Sequence, residues 1–427
     1  MGNLEPHYLI IAFSLIVILS YFFNAYSKRS GIPSVLMLLA LGVVINGGLR
    51  VFGTKPPSLD LSLEIFGQVG LTLIVLEAAL DLKLLKEKIT IIIRSLCVSF
   101  FGLAGTSCIA AICFSSFVEG LLFKEALLFT IPLSILSSAI ILPSIGSLDQ
   151  EKKEFMVYES TFSDIFGIIS FYAVKDMVQS NSLGGIFPET LINLIILIFV
   201  SIVISYALIY IFQNLKGHAK LFLLISVLLL LYSVGHSLHV GGELIIIFAF
   251  GIVLNNHKLF IQGYVKEFFL TEKLDEILDD FKLITAESAF IVRTFFFIMF
   301  GITISLASIL NFKVLLLGGL LIFIIYFVRS LCLFIFSWTV SVPKISPELF
   351  LAPRGLITIL LFFDVRESLS SSLNFEGILL FVIISSCLIM TWSLVREKKR
   401  LLYLKEEEFE TIDEGDVFEL DKNVSED

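Results

Sequence analysis

Long apolar stretches recur along almost the whole chain, each close to the roughly 20 residues that a helix needs to cross a membrane. They lack the alternation of apolar and polar residues that marks a membrane β-strand, so we predict helices. With 57% hydrophobic and 16% charged residues, the sequence does not fit an ordinary water-soluble protein. The predicted fold class is therefore an all-α polytopic membrane protein.

Thirteen such stretches predict about 13 transmembrane helices, which we call spans 1–13. Spans 1–6 (about residues 8–178) and spans 8–13 (about residues 219–396) form two inverted six-helix repeats around span 7, as in many secondary transporters. We expect a transmembrane domain over residues 1–396 and a disordered acidic cytoplasmic tail over 397–427. The stretches begin near residues 8, 32, 61, 89, 123, 154, 190, 219, 241, 285, 314, 348 and 374.

Basic residues are distributed unevenly between the loops. If the amino terminus lies outside the cell, the outside loops contain only six lysines and arginines, and the inside loops contain most of the others. Basic residues favour the cytoplasmic side of a membrane. We therefore expect a plasma-membrane protein with an outside amino terminus and a cytoplasmic carboxyl terminus.

Spans 5 and 12 contain small polar residues and a proline at mid-depth, at residues 137–143 and 352–358. Proline removes a helical hydrogen bond, and glycine weakens the helix further. Both spans are therefore predicted to be broken, with freed backbone groups that can face an ion. Two ordinary proline kinks are the alternative. Because the two spans occupy corresponding places in the two repeats, we expect the breaks to cross at a binding site.

An acidic cluster at residues 159–164 places two carboxylates inside an apolar run, where a membrane excludes charge unless it has a function. Asp164 lies near the middle of the run and shares a helix face with Ser160. A carboxylate flanked by hydroxyls can hold a dehydrated monovalent cation or a proton in turn, which couples the two. A purely structural buried carboxylate is the alternative. The predicted ion- and proton-binding residues are Asp164, Ser163, Ser160, Ser137 and Ser138.

Glu159 needs a cationic partner inside the membrane. Arg329 in span 11 and Arg354 beside the break in span 12 are both candidates, and the predicted role of the pair is structural. Glu77 in span 3 either lines a cytoplasmic entry funnel or forms an ion pair. Arg293, near the inside end of its span, is expected to reach lipid headgroups.

At these residues the chain resembles the monovalent cation:proton antiporter superfamily over roughly residues 8–396. Residues 159–164 resemble the Glu-Ser-x-x-Asn-Asp motif of sodium/proton exchangers, and residues 137–143 resemble a run found in potassium-efflux-type antiporters. Two positions depart from the family pattern. Ser163 replaces the asparagine or aspartate before the binding aspartate, and Ala139-Ile140 replaces Thr-Asp or Thr-Ala.

The resemblance implies that Asp164 binds the cation and the proton, and that Glu159 is bridged to Arg354 or Arg329. It also implies a homodimer in which a core bundle moves against a dimerisation bundle. A site with one aspartate suggests one cation for each proton. The branches that the motifs resemble differ in their preference for sodium or potassium, so the cation stays open.

The predicted function is secondary antiport of a monovalent cation (sodium, potassium or lithium) against protons, which would serve pH homeostasis. No nucleotide-binding glycine loop or metal-ligand spacing occurs in the sequence, so we expect no cofactor, no enzymatic activity and no nucleic-acid partner. Two alternatives stay open. The chain could be a gated potassium pathway, or it could transport an organic anion through its intramembrane arginines.

Overall fold

The structure is a computed structural model, and it describes residues 6–51, 59–179, 186–213, 220–237, 243–262, 269, 271–304, 306–336, 347–366 and 375–424. Helices dominate these residues, and no strand occurs among them. The predicted all-α class is confirmed.

Fifteen α-helices follow one another in the described residues. They are α1 (Pro6–Ser30), α2 (Ser34–Val51), α3 (Asp60–Asp81), α4 (Ile89–Phe117), α5 (Phe123–Ser134), α6 (Ser138–Ser144), α7 (Gln150–Gln179), α8 (Ile186–Gln213), α9 (Lys220–Ser237), α10 (Glu243–Asn255), α11 (His257–Phe260), α12 (Thr271–Thr303), α13 (Phe312–Ile335), α14 (Leu356–Arg366) and α15 (Phe375–Val424).

Nine helices in the described part of the chain are long and apolar enough to cross a membrane. Each predicted span overlaps one of the helical elements, most of them with a start within a few residues. The largest difference is span 10, because α12 begins at Thr271 rather than near residue 285. An amphipathic segment precedes the apolar run there and continues into it as one helix. The count of thirteen spans and the inverted repeats stay predictions.

The helices pack in two groups. In the first group α2 and α3 pack against α12, and α10 packs against α3 and α8. In the second group α4 packs against α5, α7 and α13, and α13 packs against α15. Most of the buried residues between the helices are leucine, isoleucine and phenylalanine, so the helices are held together by close van der Waals packing of apolar side chains. Helix α7 lies where the two groups meet, since it also contacts α3 and α10.

Both spans are broken as predicted, but the break in span 5 lies earlier than expected, because most of the predicted segment 137–143 belongs to α6, which contains Pro143. Helix α5 ends at Ser134, three residues are non-helical, and α6 begins at Ser138. In span 12, residues 351–355 are non-helical between a 3₁₀ turn (Glu348–Phe350) and α14.

The carboxyl-terminal segment differs from the expected disorder. The structure continues α15 as one helix through Val424. Residues 397–412 consist largely of glutamate, lysine and leucine without proline, and these residues favour helix. A helix that continues an existing span also needs no new nucleation. The boundary between a membrane domain and a cytoplasmic tail stays a prediction.

Candidate ion-binding site

The two breaks touch each other. The backbone N–H of Ser137 donates a hydrogen bond to the carbonyl of Pro353 across 3.0 Å. A Cβ atom on Gly355 would lie 2.2 Å from the Ser137 hydroxyl oxygen, so only glycine allows this approach. The local sequence contributes to the crossing, since Pro353 lies within the second break and Gly355 lets the two breaks approach each other.

A backbone carbonyl freed by proline has a specific partner. Pro143 has no N–H, so the carbonyl of Ala139 lacks its usual partner in α6. The Arg293 guanidinium donates to this carbonyl across 3.1 Å. A second nitrogen of Arg293 lies 3.9 Å from the carboxylate of Glu77. The expectation that Arg293 reaches lipid headgroups is therefore wrong, because the break in span 5 draws its side chain inward.

Asp164 occupies the middle of α7 and is 3% exposed. Its Oδ2 accepts a hydrogen bond from the hydroxyl of Ser138, the first residue of α6. Its Oδ1 is buried and has no hydrogen-bond partner among the described residues. A buried, unpaired carboxylate oxygen is costly unless a proton or a cation occupies it. The structure thus brings Asp164 and Ser138 together.

A small cavity lies beside Asp164, between α7, α3 and α10. The volume that the centre of a water molecule can occupy is about 20 Å³, so the cavity holds about one water or one dehydrated monovalent cation. Thr161 and Asp164 both line the cavity. Apart from these two residues, the lining consists of Val75, Ala78, Ile165, Ile168, Leu244, Ile245 and Phe248.

Thr161 is a candidate that our reasoning from the sequence missed. Its hydroxyl oxygen is buried and has no hydrogen-bond partner among the described residues, like Oδ1 of Asp164. Thr161 precedes Asp164 by three residues, so both side chains lie on one face of α7. This three-residue spacing is visible in the sequence and is the signal that could have identified Thr161.

The other predicted hydroxyls have different surroundings. Ser163 accepts a hydrogen bond from the backbone N–H of Leu136 across 3.0 Å and so fixes the break in span 5. Ser160 donates to the carbonyl of Val157 in its own helix. Ser137 lies against Gly355 at the crossing. These three serines are all buried, and their contacts hold the backbone around Asp164.

Glu159 is paired with Arg329. Two guanidinium nitrogens of Arg329 lie 2.5 and 2.9 Å from the two carboxylate oxygens, in a bidentate arrangement. Arg329 also donates to the carbonyls of Glu348 and Leu349, just before the break in span 12. The pair therefore connects α7 and α13 to the segment that leads into the crossing.

Arg354, the other predicted partner of Glu159, is used differently. Its backbone N–H donates to the hydroxyl of Ser386 across 3.1 Å. Its Nε and Nη1 atoms are buried and have no hydrogen-bond partner in the described part of the chain. Of the two candidates, Arg329 is thus the one that contacts Glu159.

The two helix groups are also linked near the end of α7 that carries Lys152 and Lys153. The Tyr158 hydroxyl, on α7, donates to the carbonyl of Lys83, which follows α3. Tyr158 and Phe162 pack in a small apolar cluster with Leu82. Ile165 and Phe248, which line the cavity at Asp164, pack against this cluster.

Comparison with known proteins gives matches over nearly the whole chain. The profile described as "Sodium/hydrogen exchanger, transmembrane" matches residues 12–396. The structure is similar to that of the sodium proton antiporter MjNhaP1 from Methanocaldococcus jannaschii at pH 8, with a TM-score of 0.63, 21% identity, and coverage of 92% of this chain and 99% of that chain. An electron-microscopy map of the same antiporter matches with the same TM-score and identity, and covers 92% and 96%. No curated protein matches in sequence.

Proposed function

The chain belongs to the sodium/hydrogen exchanger family, and on that basis we propose that it exchanges one monovalent cation for one proton at Asp164. The family belongs to the monovalent cation:proton antiporters, which are multi-pass membrane transporters and not enzymes. The observation that carries the proposal is Asp164 itself, a buried carboxylate with one oxygen held by Ser138 and the other unpaired. A proton or a cation can satisfy that oxygen, but not both at once.

In this mechanism the cation is held by Asp164 together with the hydroxyls of Thr161 and Ser138. Removal from water disfavours the ionised carboxylate, so the empty site takes up a proton. An arriving cation replaces the proton, and the two ions are thereby coupled. We propose sodium as the first cation to test because the similar solved structures are of a sodium proton antiporter.

We further propose that α4–α7 and α13–α15 move as a core against the other helices. The cavity supports this proposal, because its wall on α3 and α10 is apolar and offers the ion no fixed ligand. An apolar surface can slide past the loaded site without breaking polar contacts. The homodimer, the plasma-membrane location and the outside amino terminus remain proposals from the sequence.

The test is cation-driven proton flux in proteoliposomes that contain the purified protein. Sodium, potassium and lithium are added separately while a pH-sensitive dye reports proton movement. We expect Asp164→Asn to abolish the flux. Asp176→Asn makes the same change at an exposed position of the same helix, so it serves as the control and should leave the flux intact.

Thr161→Val tests the role of the hydroxyl, since it preserves shape and removes one cation ligand. We expect a higher KM for the cation, by about tenfold, which corresponds to about 1.4 kcal/mol. The proposal would be wrong if folded wild-type protein moved no protons with any of the three cations, or if Asp164→Asn kept the wild-type flux.

A further inference from the structure

A second cavity lies among α4, α7 and α13, next to the crossed breaks. Its lining includes Ser99 and Thr106 of α4, Leu136 of the first break and Arg354 of the second. The volume that the centre of a water molecule can occupy is again about 20 Å³, so this cavity holds about one small ion or one water. Unlike the cavity at Asp164, this one has a polar wall.

The cavity has an excess of positive charge. Three charged side chains line it, namely Glu159, Arg329 and Arg354. Both oxygens of Glu159 accept hydrogen bonds from Arg329, so these two charges compensate each other. Arg354 is 3% exposed, and its Nε and Nη1 have no hydrogen-bond partner among the described residues. A buried guanidinium without a counter-charge is strongly unfavourable.

A small anion would remove this cost. It would accept hydrogen bonds from Nε and Nη1 of Arg354 and could take another from the hydroxyl of Thr106. Among the described residues that line this cavity Glu159 is the one carboxylate, and Arg329 already holds it, while Asp164 lines the other cavity. We propose that this second cavity binds one small inorganic anion of the size of chloride on the guanidinium of Arg354.

The anion would also support cation binding. With Asp164 ionised, the charges of Glu159, Asp164, Arg329 and Arg354 sum to zero. A cation or a proton on Asp164 would then leave this part of the core with one positive charge. One bound anion makes both loaded forms neutral, which lowers their cost inside a membrane.

The experiment measures thermal unfolding of the purified protein in detergent, in choline chloride and in choline gluconate at equal ionic strength. Choline is used because it does not occupy the alkali-cation site. Gluconate is used because it is too large for the cavity. We expect the wild-type Tm to be about 1–3 °C higher in chloride, with a saturable dependence on its concentration.

Gly102 is a position at which a larger side chain can be introduced beside the cavity. It lines the cavity, and a Cβ atom at this position would have no heavy atom within 4 Å. Gly102→Leu should abolish the chloride effect, and Gly102→Ala, which leaves room for the ion, should keep it. Asp164→Asn should also keep it, so this test and the antiport test can fail separately.

A crystallographic experiment complements the unfolding measurement. Crystals grown with bromide should show an anomalous peak beside Arg354. Equal wild-type Tm values in the two salts, or an undiminished chloride effect in Gly102→Leu, would overturn the proposal and indicate that water occupies the cavity.

Discussion

Replacing Glu159 with glutamine should destabilise the protein strongly, because the carboxylate is fully buried and is held by two bonds from Arg329. Removal of one partner of a buried ion pair costs about 3–5 kcal/mol, since the other charge stays buried without compensation. Glutamine keeps one oxygen that can accept from Arg329, so we expect about 3 kcal/mol for Glu159→Gln, at the lower end of this range.

Arg329→Gln should cost more than Glu159→Gln. It leaves Glu159 ionised and unpaired, and it also removes the bonds to the carbonyls of Glu348 and Leu349. The double variant should lose less than the sum of the two single losses, with a difference of about 2–3 kcal/mol. The non-additive part measures the interaction between the two side chains.

The assay is equilibrium unfolding in mixed micelles, followed by intrinsic fluorescence. The control is Glu154→Gln, which removes a partner of the more exposed Lys88 and should cost at most about 1 kcal/mol. Stability of Glu159→Gln equal to that of the wild type would refute this reasoning, and so would strict additivity in the double variant.

Two further predictions concern packing and movement. Gly355→Ala should lower stability by about 1–3 kcal/mol in thermal unfolding because the added methyl group overlaps the first break. Gly48→Ala, where a Cβ meets nothing within 4 Å, should not lower stability, because alanine favours the helix α2 more than glycine does. Tyr158→Phe removes the bond to the carbonyl of Lys83, so a cysteine placed at Ala78 in a cysteine-free background should react faster with a water-soluble maleimide. Unchanged labelling would show that this bond does not hold the two helix groups together.

The broken helices and the central carboxylate could be predicted from the sequence, because proline and charged residues are both unusual inside apolar membrane-spanning helices. Pro143 and Pro353 interrupt apolar runs, and Asp164 places a charge inside one. The contact between Ser138 and Asp164 joins two of these irregular segments. Such unusual residues can be recognised without knowledge of the tertiary structure.

The partners of individual side chains could not be predicted in the same way. Arg329 and Arg354 are both intramembrane arginines, and only the packing of α7 and α13 against α4 decides which one reaches Glu159. Arg293 looked like a residue at a span end, but the carbonyl freed by Pro143 attracts it inward. These choices depend on which helices become neighbours, and local sequence patterns do not show that.

Thr161 could not be predicted as a cation ligand for a different reason. A threonine inside an apolar helix usually bonds to its own backbone, as Ser160 does here, so its type alone does not mark a ligand. Only the structure shows that its hydroxyl is unpaired and lies beside the cavity at Asp164.

Cation-induced proton release tests most directly whether both ions use Asp164. Sodium, potassium or lithium chloride is added to weakly buffered, detergent-purified protein, and the pH is recorded against choline chloride. We predict that the preferred cation releases up to one proton per chain and that Asp164→Asn releases none, with Asp176→Asn behaving like the wild type. Undiminished release from folded Asp164→Asn, or none from wild-type protein that demonstrably binds the cation, would contradict exchange at this carboxylate.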